Sequence, residues 1–565
     1  MTLSQLARAC CTLAGAVLLG GALSLAASAQ TAIYDSGGRL TTEQAAYDVR
    51  YYDLALRVSP SDSSIAGTVT VVAEIVQPTE WLVLDLDTLL QVSGVASTDG
   101  GGAATRRFER RGGKLWIDLQ GVRQPGEQVS LAVSYAGRPR VAPMPPWDGG
   151  FTWKRTPDGA PWIATSNQGQ GADVWWPVKD HVSDKPDSMA IRIRVPEPLV
   201  VASNGRLRQV ELHGDGTRSY HWFVSTPIST YNVALNIAPY RVIEQSFTSV
   251  AGDSFPVQFY VLPESYDRGR ALFPEILAHL RFFEELLGPY PFRADKYGVA
   301  QTPHLGMEHQ TIIAYGANFN NGAMTGGIDW GFDALHHHEL AHEWWGNLVT
   351  NRDWNDMWLH EGFGTYMQAL YMERLRGAEG LHAYMAGMRQ GIANQRPVAP
   401  REPQTAGEIY FSSGGDIYSK GAWVLHTLRY LIGDEAFYTA LRRMAYPDPA
   451  LERVTDGSQV RFATTEEFLQ IAEAASGMEL DWFFESYLRQ AALPRLATER
   501  VRDGWTLRWE SRNGQPFPMP AEVEIGGQRR RVEMTNGEAH LSAAGATRPV
   551  VDPRGWILRA PDRPR

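Results

Sequence analysis

Cysteine is almost missing from this chain: its 565 residues hold two, Cys10 and Cys11, side by side near the amino terminus. Both fall within a leader-like stretch, so a processed chain would have none. That excludes disulfides and thiolate chemistry, and leaves His, Asp and Glu to hold any metal. A basic excess is missing too. With 53 Lys and Arg against 63 Asp and Glu, the net charge is −10, so no cationic surplus exists to displace counterions from phosphates, and no nucleic-acid partner is expected. Beyond the first 29 residues no apolar run is long enough to span a bilayer. Disorder is not indicated either, because 44% hydrophobic and 21% charged residues is an ordinary globular composition.

The first 29 residues read as a secretory signal. Arg8 precedes an apolar stretch from about Leu13 to Leu25, and the small residues Ala27, Ser28 and Ala29 offer a cleavage site before Gln30. An exported protein, periplasmic or secreted after cleavage near Ala29, is the expectation.

Past this leader the pattern changes twice. From about residue 48 to 246 apolar residues alternate, as in Val69, Val71, Ala73 and Ile75 or Ile191, Ile193 and Val195, which reads as strands with one buried face. From about residue 265 the period becomes helical, with helices expected over Ala271 to Leu287, Asp333 to Trp345, Met357 to Arg376 and Thr464 to Leu488. Thr464 with Glu467 three residues on has the form of a capping box. After Pro494, Trp505, Leu507 and Trp509 alternate again, and Gly526-Gly527 suits a hairpin turn. The expected architecture is multidomain α+β: residues 30–246 as an N-terminal β-sandwich-like domain, 247–493 as an α-rich catalytic domain and 494–565 as a small C-terminal β domain. Arg529-Arg530-Arg531 reads as a solvated strand edge.

The chemistry concentrates in His338-Glu339-Leu340-Ala341-His342. Residues four apart share a helix face, so His338 and His342 can present imidazoles to one metal ion, with Glu339 beside them to hold a water. His336 and His337, just upstream, read as incidental members of a polar helix face. With eighteen residues between, Glu361 follows His342 in Trp358-Leu359-His360-Glu361-Gly362-Phe363. Two histidines and a carboxylate leave a fourth tetrahedral position open for water, the arrangement of catalytic rather than structural zinc. One Zn2+ per chain is expected. Which acid supports the histidines is left open by the sequence; Asp353 and Asp356 are near in sequence.

At these residues the chain resembles the M1 gluzincin aminopeptidases, in a bacterial three-domain branch. His338 to Thr350 is similar to the family's zinc helix and its exit, and Trp358 to Phe363 to its third-ligand segment. Gly306-Met307-Glu308-His309 resembles the exopeptidase signature, and Tyr418-Ser419-Lys420-Gly421 the segment that holds a catalytic tyrosine. The likeness runs from about Tyr52 to Leu496 and takes in Leu84-Asp85-Leu86 and Ile228-Ser229-Thr230-Tyr231. It implies a thermolysin-like catalytic domain with zinc on His338, His342 and Glu361, and Glu339 as general base. It also implies that Tyr418 donates to the oxyanion, and that Glu308 pairs with the substrate's α-ammonium beside Gly306 and Met307. Gln168, with Gln170 two positions on, matches a residue that helps hold the same amine. The implied substrates are peptides with a free amino terminus. Leu305 and His309 depart from the signature, which usually has Gly and Asn there. The alternatives are a thermolysin-like endopeptidase, and a non-catalytic binding protein on the same fold. Intact Glu339 and metal ligands speak against the second, Glu308 and Tyr418 against the first.

Overall fold

A computed structural model describes residues 34–99, 104–412, 414–511, 514–542 and 547–561; the expected leader lies outside them. The chain divides into two units, one formed by Met1–Arg281, Tyr290–Glu343 and Val454–Val460, the other by Phe282–Pro289, Trp344–Arg453 and Arg461–Arg565.

In the first unit the alternating segments become sheets. Tyr47–Ser59 pairs antiparallel with Ser64–Ile75 and parallel with Ser188–Pro196, in the middle of an eight-stranded sheet. A three-stranded sheet of Thr79–Asp85, Lys114–Arg123 and Phe108–Arg111 faces the same core. Leu54, Val71, Val133 and Ile191 enter that core from the first sheet, and Leu82, Leu84, Leu115 and Ile117 from the second. Two sheets closing on one apolar layer make the sandwich that the period-two pattern predicts. A four-stranded sheet contains Pro161–Ser166, and the chain leaving that strand carries Asn167 and Gln168.

A further five-stranded sheet is ordered Arg241–Thr248, Ser254–Val261, Tyr297–Gln301, Ile313–Tyr315 and Gly306–Met307. Its first strand straddles the 246/247 position at which the sequence pattern divides. Gly306 and Met307 form its edge strand, antiparallel to Ala314 and Tyr315. Helix α1, Tyr266–Leu287, begins five residues earlier than its periodicity predicts. Helix α2, Ala334–Ala341, is shorter than predicted: Asp333 caps it by accepting from the His336 amide, and His342 is already its C-cap. All eight of its residues are buried.

The second unit is mainly helical. Helix α3, Trp358–Arg389, carries Glu361 in its first turn. Gly377 interrupts it with φ 66°, ψ −166°, so the end expected at Arg376 is a real break, but the chain re-enters a helix directly. Ala406–Ser412 (α4), Asp416–Ile432 (α5) and Asp434–Ala445 (α6) follow. The single helix expected over Thr464 to Leu488 is two, Thr465–Ser476 (α7) and Asp481–Leu488 (α8), separated by left-handed Gly477. Thr464 does cap α7 by accepting from the Glu467 amide. Helices α3 and α5 meet where Gly362 faces Gly421, each so close that a Cβ on one would lie 2.9 Å from the other's Cα.

The C-terminal residues form two three-stranded sheets. Trp505, Leu507 and Trp509 point inward from Gly504–Glu510. Ala521–Ile525 turns at Gly526-Gly527, both at positive φ, into Gln528–Val532. That last strand is a sheet edge with Arg529 and Arg530 exposed, while Arg531 also donates to the carbonyls of Tyr430 and Leu431. The segment after it docks on the helices: Trp556 stacks on His426 at 4.4 Å, and Tyr487 donates to the Leu558 carbonyl.

Candidate active site

Helix α2 places His338 and His342 one turn apart with their Nε2 atoms 3.1 Å from each other. Two nitrogens about 2.0–2.1 Å from a tetrahedral zinc would be separated by about 3.3 Å, so the observed spacing fits two lone pairs aimed at one ion. His338 and His342 are buried, and so is Glu361 in the first turn of α3. The donor set, two imidazoles and one carboxylate, is that of catalytic zinc, so the residues present fit the ion.

A second convergence lies against the first. Glu308, Glu339 and His342 also bring ligand atoms within 4.8 Å of one another, again buried. Two carboxylates so close in a low-dielectric site repel unless a cation sits beside them. Local structure explains how Glu339 fits: a Cβ on Gly306 would stand 2.2 Å from Glu339 Oε1, so glycine on the edge strand makes the room. At the end of α2, Glu343 accepts from the Thr311 amide (2.8 Å) and the Tyr290 hydroxyl (3.2 Å). This ties the zinc helix to the segment that follows Glu308.

Glu308 is held on one oxygen by two donors. Gln168 Nε2 reaches Oε1 at 2.6 Å and Tyr231 OH reaches the same atom at 3.0 Å. Of the two glutamines, Gln168 is therefore the one at Glu308; Gln170 accepts from the Gly149 amide instead. Met307 is buried beside Glu308, paired with Ala314 across the sheet edge. His309, where the signature usually has Asn, is fully buried, and burial together with His304 pushes its imidazole down to about 3, so it is neutral. Tyr418 lies in the first turn of α5, half-buried, with its hydroxyl 3.3 Å from that of Tyr410.

Two readings of the sequence need correction. His336 and His337 do not belong to a polar face: both are fully buried, and burial holds both well below the usual histidine range. His336 bridges His279 Nδ1 and the Tyr297 hydroxyl, each at 2.9 Å. A short helix packed on every side has no polar face, which four-residue spacing cannot reveal. Asp353 and Asp356 are engaged with other groups. Asp353 accepts from the amides of Asn355 and Gln404, and Asp356 from Thr465. Tyr231 at Glu308 is a further site residue, and its only signal in the sequence is its place in Ile228-Ser229-Thr230-Tyr231, far from Glu308.

Comparison with known proteins gives the family and the fold. The Peptidase family M1 domain matches residues 279–487, and the Peptidase M1 N-terminal domain matches residues 49–232. Endoplasmic reticulum aminopeptidase 1 of Homo sapiens is 25% identical over 420 residues, 69% of this chain and 42% of the relative. Aminopeptidase N of Streptomyces lividans is 28% identical over 287 residues, 46% of this chain and 31% of the relative. The chain thus spans less than half the length of these curated relatives. Among solved structures, an M1 zinc metallopeptidase mutant from Deinococcus radiodurans bound to a Tyr-Ser-Ala substrate matches with TM-score 0.65 and 24% identity. That match covers 82% of this chain and 98% of that one, and it shows the same fold.

Proposed function

The chain belongs to peptidase family M1, and from that premise we propose that it is an exported zinc aminopeptidase that removes amino-terminal residues from peptides. The observation that carries the reading is the pair of buried carboxylates, Glu308 and Glu339, beside the zinc ligand His342. One acid is needed for water chemistry; the other gives the site its demand for a positive charge.

The division of labour follows from position. His338, His342 and Glu361 would hold the zinc, which when bound polarises the scissile carbonyl and lowers the pKa of water. Glu339 takes the proton from the attacking water and passes it to the departing amine, so the proton count closes within one turnover. Glu308, held by Gln168, pairs with the substrate's α-ammonium and sets the first peptide bond over Glu339. A blocked amino terminus leaves that buried carboxylate without its partner, a penalty that rejects acylated peptides. Tyr418, at the start of α5, donates to the oxyanion as charge develops on it. Export is read from the leader of residues 1–29, with cleavage near Ala29 delivering the chain to the periplasm or the medium.

The test offers one peptide and its N-acetylated twin, with and without chelator, and with Glu339→Ala as control. Stepwise trimming of the free peptide alone, lost in chelator and in the variant, is expected. Internal cleavage of both peptides would replace this reading with an endopeptidase. No cleavage of any peptide in a broad panel by zinc-loaded protein would point to a binding protein.

A further inference from the structure

We propose that Tyr231 is a positioning residue for the amine site, the hydroxyl that fixes the orientation of Glu308; the inference rests on the aminopeptidase reading above. Glu308 stands within 4.8 Å of Glu339 and His342, so its carboxylate is pushed by a like charge and must be held from elsewhere. Gln168 Nε2 at 2.6 Å and Tyr231 OH at 3.0 Å both donate to Oε1. A single donor lets a carboxylate swing about its terminal bond. Two donors arriving at one oxygen from different parts of the chain fix its plane, and hydrogen bonds to an ionised acceptor are the stronger kind.

The backbone around Tyr231 is built to hold that hydroxyl in place. Asn167, next to Gln168, donates its side-chain amide to the Tyr231 carbonyl at 3.0 Å. Buried Asn204 donates from one nitrogen to the Asn232 carbonyl (2.8 Å) and the Gln310 carbonyl (2.6 Å), and accepts from the Ala234 amide (2.8 Å). One amide therefore clamps the residue after Tyr231 to the residue two beyond Glu308. Gly205, the neighbour of Asn204, donates its backbone N–H to Thr311 Oγ1 at 2.8 Å. The separation between phenol and carboxylate is set by these ties and not by the adaptability of a long side chain. Loss of the hydroxyl frees Glu308 to rotate while Glu339 and the metal ligands keep their own supports, so the grip on the ammonium weakens selectively.

Two zinc-binding probes separate this role from a general structural one. Leucine hydroxamic acid and 4-methylpentanehydroxamic acid share a side chain and a chelating group and differ only in the α-amine. The zinc-loaded full chain should prefer the amino form. In Tyr231→Phe, the ratio of the two inhibition constants should shrink by about tenfold or more, the loss of one hydrogen bond to a charged group. The des-amino constant should move by less than about twofold, and KM for a free peptide should rise more than kcat falls. In a Glu308→Gln background the same substitution should change the ratio no further, because Tyr231 acts through Glu308. An unchanged ratio, an equal shift of both constants, or an additive effect on Glu308→Gln would each overturn the role of Tyr231. A wild-type enzyme indifferent to the α-amine would instead remove the amine site itself, and this inference with it.

Discussion

At Gly306 a single missing atom decides whether the Glu339 carboxylate has a place to stand. A Cβ there meets Glu339 Oε1 at 2.2 Å and Leu335 Cδ1 at 2.6 Å, so Gly306→Ala must displace the carboxylate. We expect kcat to fall by about a hundredfold, the scale of an ångström's misplacement, while zinc content measured by atomic absorption stays near one per chain. Tyr418→Phe should lower kcat by about 10²–10³ with little change in KM, the signature of a donor used only in the transition state. Away from the site, Asp173 and Asp180 both face the space over Gly171, with oxygens 2.5 and 2.3 Å from where its Cβ would be. Burial, then neighbouring acids, raises both, Asp180 to about 7. A carboxyl group raised in the folded state binds a proton that the unfolded chain has released. Its contribution is therefore present at low pH and lost as pH rises from about 4 through about 7. Asp173→Asn should accordingly raise Tm more at pH 8 than at pH 5, and an equal rise at both would contradict the pairing. Residues of this kind were the least legible in the sequence. His338, Glu339, His342 and Glu361 announce themselves by spacing, whereas Tyr231 becomes visible only where the chain crosses itself.

Elements were legible wherever periodicity alone decided them. The alternation from Tyr47 onward, the cap at Thr464 and the Gly526-Gly527 turn stand as read. Ends and interruptions were harder, because they depend on backbone conformation that periodicity does not encode. Left-handed Gly477 splits one apolar pattern into α7 and α8, and Gly377 bends α3 without ending it. Since Gly377 holds φ 66°, Gly377→Ala should destabilise by about 1 kcal/mol or more, read as a lower urea midpoint with an unchanged slope. The crossing of α3 and α5 is stricter. Gly421→Ala puts a methyl group 2.9 Å from the Gly362 Cα, where only backbone can give way. A loss of about 1–3 kcal/mol is expected from overpacking, and with it a drop in activity, since these two helices carry Glu361 and Tyr418. Full activity at normal stability would show that the crossing tolerates separation.

At the scale of the molecule, the last described residues belong to the helices as much as to their own sheets. Trp556 stacks on His426, Arg389 donates to the carbonyls of Ile557 and Arg559, and the Leu558 amide donates to Thr427. Ile557 and Leu558 are fully buried. Removing residues 556–565 should therefore unfold more than a tail: we expect a single calorimetric transition shifted down by several degrees, about 2–5 kcal/mol for the lost apolar burial. The order of sandwich, helical region and small β domain was readable from composition and period, but this docking was not, because it joins positions more than a hundred residues apart. The proposed amine site also joins positions far apart in the chain. Gln168, Tyr231 and Glu308 come from three segments, the first leaving a strand of the N-terminal sheets. A zinc-bearing half transplanted onto the N-terminal half of a distant relative could keep its hydrolytic centre and still lose its sense of where a peptide begins. On the proposed reading, the blade and the supports that steady its ruler are encoded in different stretches of the gene, and must be inherited together.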